Sequence, residues 1–120
     1  DGDLYFGDGS RLTFQAKALE PRYATFGTIT IEYYNDPATG LIGDWFTCMA
    51  QIYVCGYTLE DYSGMRPWAV VDYPALKIAS QQGRIPWLVR QNSKTSAMAN
   101  FKYVTIDQLP KSVLIARLNP

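Results

Sequence analysis

Three polar residues near the start of the chain have the types and spacing that metal-dependent phosphodiester hydrolysis needs. Eleven residues separate Asp3 from Gln15, and Lys17 follows Gln15 at position i+2. Mg²⁺ prefers carboxylate and other oxygen ligands together with retained waters and phosphate oxygens. A nearby positive group then helps to activate the attacking water and to stabilise the charge of the transition state. An acidic residue on one strand and polar residues at i and i+2 on the next can converge, so the spacing predicts a candidate site.

The residue types that the chain lacks narrow the chemistry further. The sequence contains no His, and its two Cys, Cys48 and Cys55, form no CxxC motif. Zinc chemistry and a Ser-His-Asp triad are therefore excluded, so that catalysis would depend on carboxylates, amides, Lys or Tyr. A disulfide between the two Cys stays open. We favour two reduced thiols, and hence a cytoplasmic protein.

The elements that must position the three residues are predicted to be strands. Leu12–Ala18 alternates between apolar and polar residues, and Thr28–Tyr34 alternates in the same way. Two such strands joined by a modest connection are expected to pair antiparallel, with Gln15, Lys17 and Glu32 on a shared face. Glu32 would then either supply a further carboxylate to the site or form a cross-strand ion pair with Lys17.

The rest of the chain predicts a single strand-rich α/β domain over residues 1–120. Apolar or alternating segments predict further strands, and one segment with Pro in its first turn and Gly after its end predicts a helix. The strands are Ala50–Tyr57, Pro67–Tyr73 and Phe101–Ile106, the helix is Pro74–Gln82, and Val113–Leu118 is a strand or a helix. The apolar runs are far too short to span a bilayer, so we expect no membrane partner.

The order of these motifs resembles a known nuclease superfamily. D-G-D at residues 1–3 followed by T-F-Q-A-K-A at residues 13–18 resembles the D-(x)n-(E/Q)-x-K signature of the PD-(D/E)xK, or restriction endonuclease-like, superfamily. The likeness covers most of the chain, although each motif is short. It continues through F-G-T-I-T-I-E (Phe26–Glu32), T-G-L-I-G-D-W (Thr39–Trp45) and A-Q-I-Y-V-C-G-Y (Ala50–Tyr57). The implied fold is a restriction-endonuclease-like mixed β-sheet with few flanking helices.

The resemblance implies a DNA endonuclease that uses Mg²⁺ or Mn²⁺. By this likeness Asp3 is the metal carboxylate, Gln15 is a weaker amide ligand, and Lys17 is the catalytic base or electrostatic stabiliser. Glu32 is a further candidate catalytic residue.

The chain departs from the superfamily pattern in three ways. Gln15 replaces the usual Glu, Gln51 stands where an Asp is expected, and we expect the domain to lack the N-terminal helix that usually precedes the first Asp. Two alternatives therefore stay open. One is a catalytically inactive DNA-binding or structural domain of the same fold, and the other is a small-ligand-binding or oligomerising β-rich module.

The distribution of charge points to a polyanionic partner. Residues 1–64 carry nine Asp and Glu against three Lys and Arg, whereas residues 65–120 carry two against eight. A basic half beside an acidic, cation-binding half suits DNA, although the halves could equally attract each other within the fold. The candidate phosphate contacts are Arg84, Arg90, Lys94 and Lys102, with Trp87 or Phe101 available for stacking. A homodimer is compatible with the sequence.

We predict that replacing Arg90 and Lys94 by Gln weakens duplex DNA binding for all sequences alike. The slope of log K against log salt concentration should fall by about one to two units, because each phosphate contact contributes roughly 0.9. Fluorescence anisotropy titrations at several salt concentrations measure this slope. An unchanged slope would mean that neither residue contacts phosphate.

Overall fold

A computed structural model of the chain describes residues 2–19, 27–36, 41–91 and 100–117. These residues form nine strands, two helices and a 3₁₀ turn at Ile106–Gln108. In chain order the elements are β1 (Gly2–Tyr5), β2 (Arg11–Leu19), β3 (Thr28–Asp36), β4 (Leu41–Ile42), α1 (Asp44–Thr47), β5 (Ile52–Thr58), β6 (Met65–Asp72), α2 (Tyr73–Gln81), β7 (Leu88–Gln91), β8 (Asn100–Thr105) and β9 (Leu114–Arg117).

The strands form two sheets. The first sheet has the order β1-β2-β5-β6-β9, and the second has the order β4-β3-β8-β7. β2 and β5 pair in parallel, while the other pairs in both sheets are antiparallel. The chain is therefore a strand-rich α/β domain with a mixed sheet, which confirms the coarse fold class. The last segment, which the sequence left open, is a strand.

The predicted pairing of Leu12–Ala18 with Thr28–Tyr34 is wrong. Both segments are strands, but β2 belongs to the first sheet and β3 to the second. β1 occupies one edge of β2 and β5 occupies the other, so that β2 has no free edge for β3. Alternation specifies a strand and its two faces, but it does not specify the neighbouring strand.

The helix predicted at Pro74–Gln82 is α2, shifted by one residue. Its N-cap is Asp72, whose Oδ1 accepts a hydrogen bond from the Ala75 amide at 3.0 Å. Gly83 follows the helix with a φ of 71°, a left-handed conformation that glycine adopts without strain. α2 is nine residues long. No helix in the described part of the chain is long and apolar enough to cross a bilayer.

One hydrophobic core joins the two sheets and α2. Its members include Tyr53 and Val71 from the first sheet, Ile31 and Val104 from the second, and Leu76 from α2. All five are almost fully buried. Burial of this apolar surface is the main force that holds the second sheet and the helix against the first.

Side chains of β5 also bond to the backbone of β3. The Tyr53 hydroxyl donates to the Thr30 carbonyl at 3.3 Å, and the Cys55 thiol is hydrogen-bonded to the Thr30 backbone as well. A buried carbonyl without a partner is costly, so the Tyr53 hydroxyl satisfies a backbone group at the junction between the sheets.

Gly43, which precedes α1, allows a close approach to β3. A Cβ at this position would lie 2.7 Å from the carbonyl oxygen of Glu32 and 2.8 Å from its Cγ. Real Cβ atoms do not approach other heavy atoms this closely, so Ala would force the backbone apart. The Gly43 carbonyl also accepts the amides of Phe46 and Thr47 in the first turn of α1.

We therefore expect Gly43→Ala to lower the free energy of unfolding by about 1–3 kcal/mol, as overpacking typically does. Urea denaturation followed by circular dichroism measures the change. Gly7→Ala is the matched control, because a Cβ at Gly7 meets nothing within 4 Å. Equal stability of the two variants would contradict the close contact between Gly43 and Glu32.

Candidate functional site

The first sheet brings Asp3, Gln15 and Lys17 to one face. The register of β1 with β2 places Asp3 opposite Thr13, and residues that are directly opposite in a ladder point to the same side. Thr13, Gln15 and Lys17 follow each other at every second position, so they share this side. Asp3 on β1 and Gln15 and Lys17 on β2 therefore lie on the same face of the first sheet.

This polar face of β2 is the one that points towards the core. Lys17 lies beside Cys55 of β5, which is buried, whereas Ala16 and Ala18 on the opposite face are exposed. The Lys17 ammonium lies 5.8 Å from the centre of the Phe101 ring in β8. A cation near an aromatic ring is stabilised by the ring electrons. Lys17 is therefore half-buried and directed at the second sheet.

Asp3 lies at the exposed end of this face. Its Oδ2 is 3.9 Å from Nη1 of Arg11, and both side chains are partly accessible to water. Such a surface ion pair contributes only about 0–1 kcal/mol, so it competes weakly with another cation.

The oxygen donors of the site are few. Asp3 would supply one carboxylate and Gln15 one amide oxygen. Within residues 2–19, 27–36, 41–91 and 100–117, no three of His, Cys, Asp and Glu come together to hold a metal ion. Mg²⁺ often uses only one or two carboxylates and keeps several waters, so the donor chemistry of this pair fits a weakly held, water-rich ion.

Glu32 lies in a different sheet from the other three candidates. It belongs to β3 and is paired with Phe101 of β8, so the prediction that it shares a sheet face with Gln15 and Lys17 is wrong. Glu32 is in the other sheet because β2 pairs with β5 and not with β3. Glu32 and Lys17 are nevertheless neighbours of the same Phe101 ring, Glu32 by strand pairing and Lys17 by its ammonium.

Gln51, where an Asp was expected, connects two strands of the first sheet. Its side-chain Oε1 accepts a hydrogen bond from the Thr13 backbone N–H at 3.0 Å. Its backbone N–H donates to the Thr13 carbonyl at 3.1 Å. The Gln51 carbonyl accepts the amide of Tyr73 at 3.0 Å. Gln51 thus extends the contact between β2 and β5 and joins it to the start of α2.

The predicted phosphate-contacting residues are dispersed over the chain. Arg84 is exposed just after α2 and donates to Gln82 at 3.3 Å. Arg90 lies in β7, and Lys94 falls outside the described residues. Lys102 in β8 is half-buried, with its ammonium 5.9 Å from the Trp87 ring centre. Of the predicted combinations, the structure brings Lys102 and Trp87 together.

Sequence reasoning missed Lys77. Its ammonium donates to the Trp45 carbonyl and lies 4.4 Å from the centre of the Trp45 ring. The Tyr73 hydroxyl donates to the same carbonyl at 3.0 Å. Tyr73 and Lys77 are spaced i, i+4 on α2, which puts them on one helix face. That spacing was visible in the sequence, but their acceptor in α1 was not.

The Cys55 thiol is the most strongly perturbed acid near Lys17. Burial raises its pKa to about 12, although the hydrogen bond to Thr30 and the positive charge of Lys17 act in the opposite direction. Both Cys48 and Cys55 are buried thiols. A thiol that stays protonated is a poor nucleophile, so Cys55 has a structural role.

Comparison with known proteins adds no relative: no family model, no curated protein and no solved structure matches the chain. The interpretation of the site therefore depends on its own residues.

We predict that Cys55 makes the protein less stable at high pH. Its folded pKa is about 12, whereas an unfolded thiol titrates near 8.5. Between these values the unfolded state binds fewer protons, so the free energy of unfolding falls as pH rises, by up to about 1.4 kcal/mol per pH unit. The stability difference between the wild type and Cys55→Ala should therefore decline between about pH 9 and about pH 10.5.

Urea titrations at each pH measure this difference. Between about pH 6 and about pH 8 the thiol is protonated in both states, so the difference should be constant there and serves as the control. A difference that stays constant up to about pH 10.5 would refute the raised pKa.

Proposed function

We propose that this domain is a restriction-endonuclease-like nuclease that hydrolyses phosphodiester bonds in DNA with Mg²⁺ or Mn²⁺. The observation that carries the proposal is the register of β1 with β2, which aligns Asp3, Gln15 and Lys17 on one face. A shared face is one condition of the D…QxK interpretation, and the register supports it. The β2–β5 ladder also places Lys17 beside Cys55, which is buried.

Each residue of the aligned face has a distinct proposed role. Asp3 and Gln15 would hold the metal ion through their side-chain oxygens. The ion would act as a Lewis acid on the phosphate and lower the pKa of a bound water. Lys17, held beside Phe101, would orient the attacking water or balance the negative charge of the transition state. Glu32, the strand partner of Phe101, is the carboxylate that could complete the site from the second sheet.

A second candidate function is DNA binding without hydrolysis. Two features favour it: Gln15 carries no charge, and Asp3, the carboxylate that the described residues place on this face, already has Arg11 within 3.9 Å. A site with so little negative charge binds Mg²⁺ weakly. In this alternative the basic residues Arg84, Arg90, Lys94 and Lys102 contact phosphate, and the aligned face has no catalytic role.

We expect Lys17→Ala to reduce Mg²⁺-dependent cleavage by on the order of a hundredfold or more while the protein stays folded and DNA-binding. The reason is that the Lys17 side chain is only half-buried, so its loss removes little packing. Gln15→Glu restores a carboxylate, so it should tighten Mg²⁺ binding and keep or raise activity. Cleavage of duplex, branched and single-stranded DNA and calorimetric titration with Mg²⁺ are the measurements.

Lys111→Ala is the matched control, since Lys111 is exposed and remote in sequence from the aligned face. It should leave both cleavage and metal affinity unchanged. If the wild type cleaves none of these substrates and Gln15→Glu gains no metal affinity, the nuclease proposal fails. The non-catalytic DNA-binding domain then becomes the better account.

A further inference from the structure

Two lysine ammonium groups from different elements lie against one indole ring. Lys77 of α2 places its Nζ 4.4 Å from the centre of the Trp45 ring, and Lys102 of β8 places its Nζ at 4.6 Å. The Lys102 ammonium is also 5.9 Å from the centre of the Trp87 ring. Trp45 and Trp87 meet edge to face, with their ring centres 5.7 Å apart. We call Lys77, Lys102, Trp45 and Trp87 the lysine–tryptophan cluster.

The two positive charges of this cluster oppose each other. Burial lowers the pKa of Lys77, and burial together with the positive charge of Lys77 lowers the pKa of Lys102. Both shifts mean that the charged forms are less favourable here than in water. An anion bound beside both ammonium groups would offset the repulsion and the lost hydration at the same time.

The aromatic part of the cluster is fixed in advance of binding. The Trp45 carbonyl accepts hydrogen bonds from Tyr73 and Lys77 of α2, and the Trp87 indole N–H donates to the Ser80 hydroxyl at 2.9 Å. Trp45 is buried, whereas Trp87 is only half-buried. A ligand that binds here therefore meets rings that need little further ordering.

We propose that Lys77, Lys102 and Trp87 bind a phosphate group of a single-stranded nucleic acid, with one base packed against the indole of Trp87. Lysine ammonium groups bind phosphate as point charges, and aromatic rings that are partly exposed take unpaired bases without regard to sequence. Val89, the strand partner of Lys102, is exposed and adds apolar surface on the Lys102 side of β7.

This cluster is separate from the proposed hydrolytic face. Phe101 and Lys102 are consecutive in β8, so their side chains point to opposite faces of the second sheet. Lys17 contacts the Phe101 ring, whereas the cluster contains Lys102, and the cluster has no residue in common with the hydrolytic face. The inference rests on the proposed nucleic-acid partner but not on cleavage, so the two can fail independently.

The test is a titration of intrinsic tryptophan fluorescence with oligo(dT) in EDTA, where no divalent ion supports cleavage. Lys77→Gln and Lys102→Gln should each weaken binding and reduce the slope of log K against log salt by about 0.7, the contribution of one phosphate on a single strand. Lys111→Gln removes an equal charge from an exposed position and should leave the slope unchanged. Lys77→Arg and Lys102→Arg keep the charge and should retain the wild-type slope.

Two further arms identify the source of the phosphate. Trp87→Leu should weaken oligo(dT) binding by about fivefold to about a hundredfold, the usual effect of losing one stacked base, without changing the affinity for inorganic phosphate. Inorganic phosphate should compete with oligo(dT) for the wild type. The proposal is overturned if the Gln variants keep the wild-type slope, or if inorganic phosphate binds at this cluster while oligo(dT) does not.

Discussion

The parallel pairing of β2 with β5 is the constraint on which the rest of the architecture depends. Parallel neighbours cannot be joined by a tight turn, and a long connection must carry the chain back to the starting edge. Here the connection between Leu19 and Ile52 contains β3, β4 and α1. The first strands of the second sheet lie within this connection. The connection also contains Trp45 of α1, whose carbonyl accepts a hydrogen bond from Tyr73 of α2. The same pairing excludes Glu32 from the sheet that carries Lys17.

The opposite charges of the two halves of the sequence do not become two separate lobes. The first sheet contains β1, β2 and β5 from the acidic half together with β6 and β9 from the basic half, and the second sheet is mixed in the same way. Interleaving brings the opposite charges of the two halves close together, and this offsets much of the repulsion between like charges within each half. What matters for an anionic partner is therefore the local grouping of cations, such as that of Lys77 and Lys102.

The sequence was sufficient to predict local secondary structure. It was not sufficient to predict which strands pair or which side chains meet. Alternation and caps predicted β2, β3 and α2, because these signals lie within the elements themselves. The alternation also predicted correctly that Gln15 and Lys17 share a face. The predicted neighbour of β2 was wrong, because a period-2 pattern is compatible with pairing to the edge of any strand. The contact of Lys77 with Trp45 spans 32 positions, and no local pattern encodes which carbonyl a lysine will meet.

The contacts between the two sheets determine how the molecule unfolds locally. In the part of the chain that the structure describes, the two sheets share no strand ladder. They meet through core packing and through bonds such as that from the Tyr53 hydroxyl to the Thr30 carbonyl. Side-chain contacts can separate without unzipping a ladder, so the second sheet can detach as one cooperative unit. Its amide protons should then exchange with deuterium as a group, at a lower free energy than those of β5 and β6.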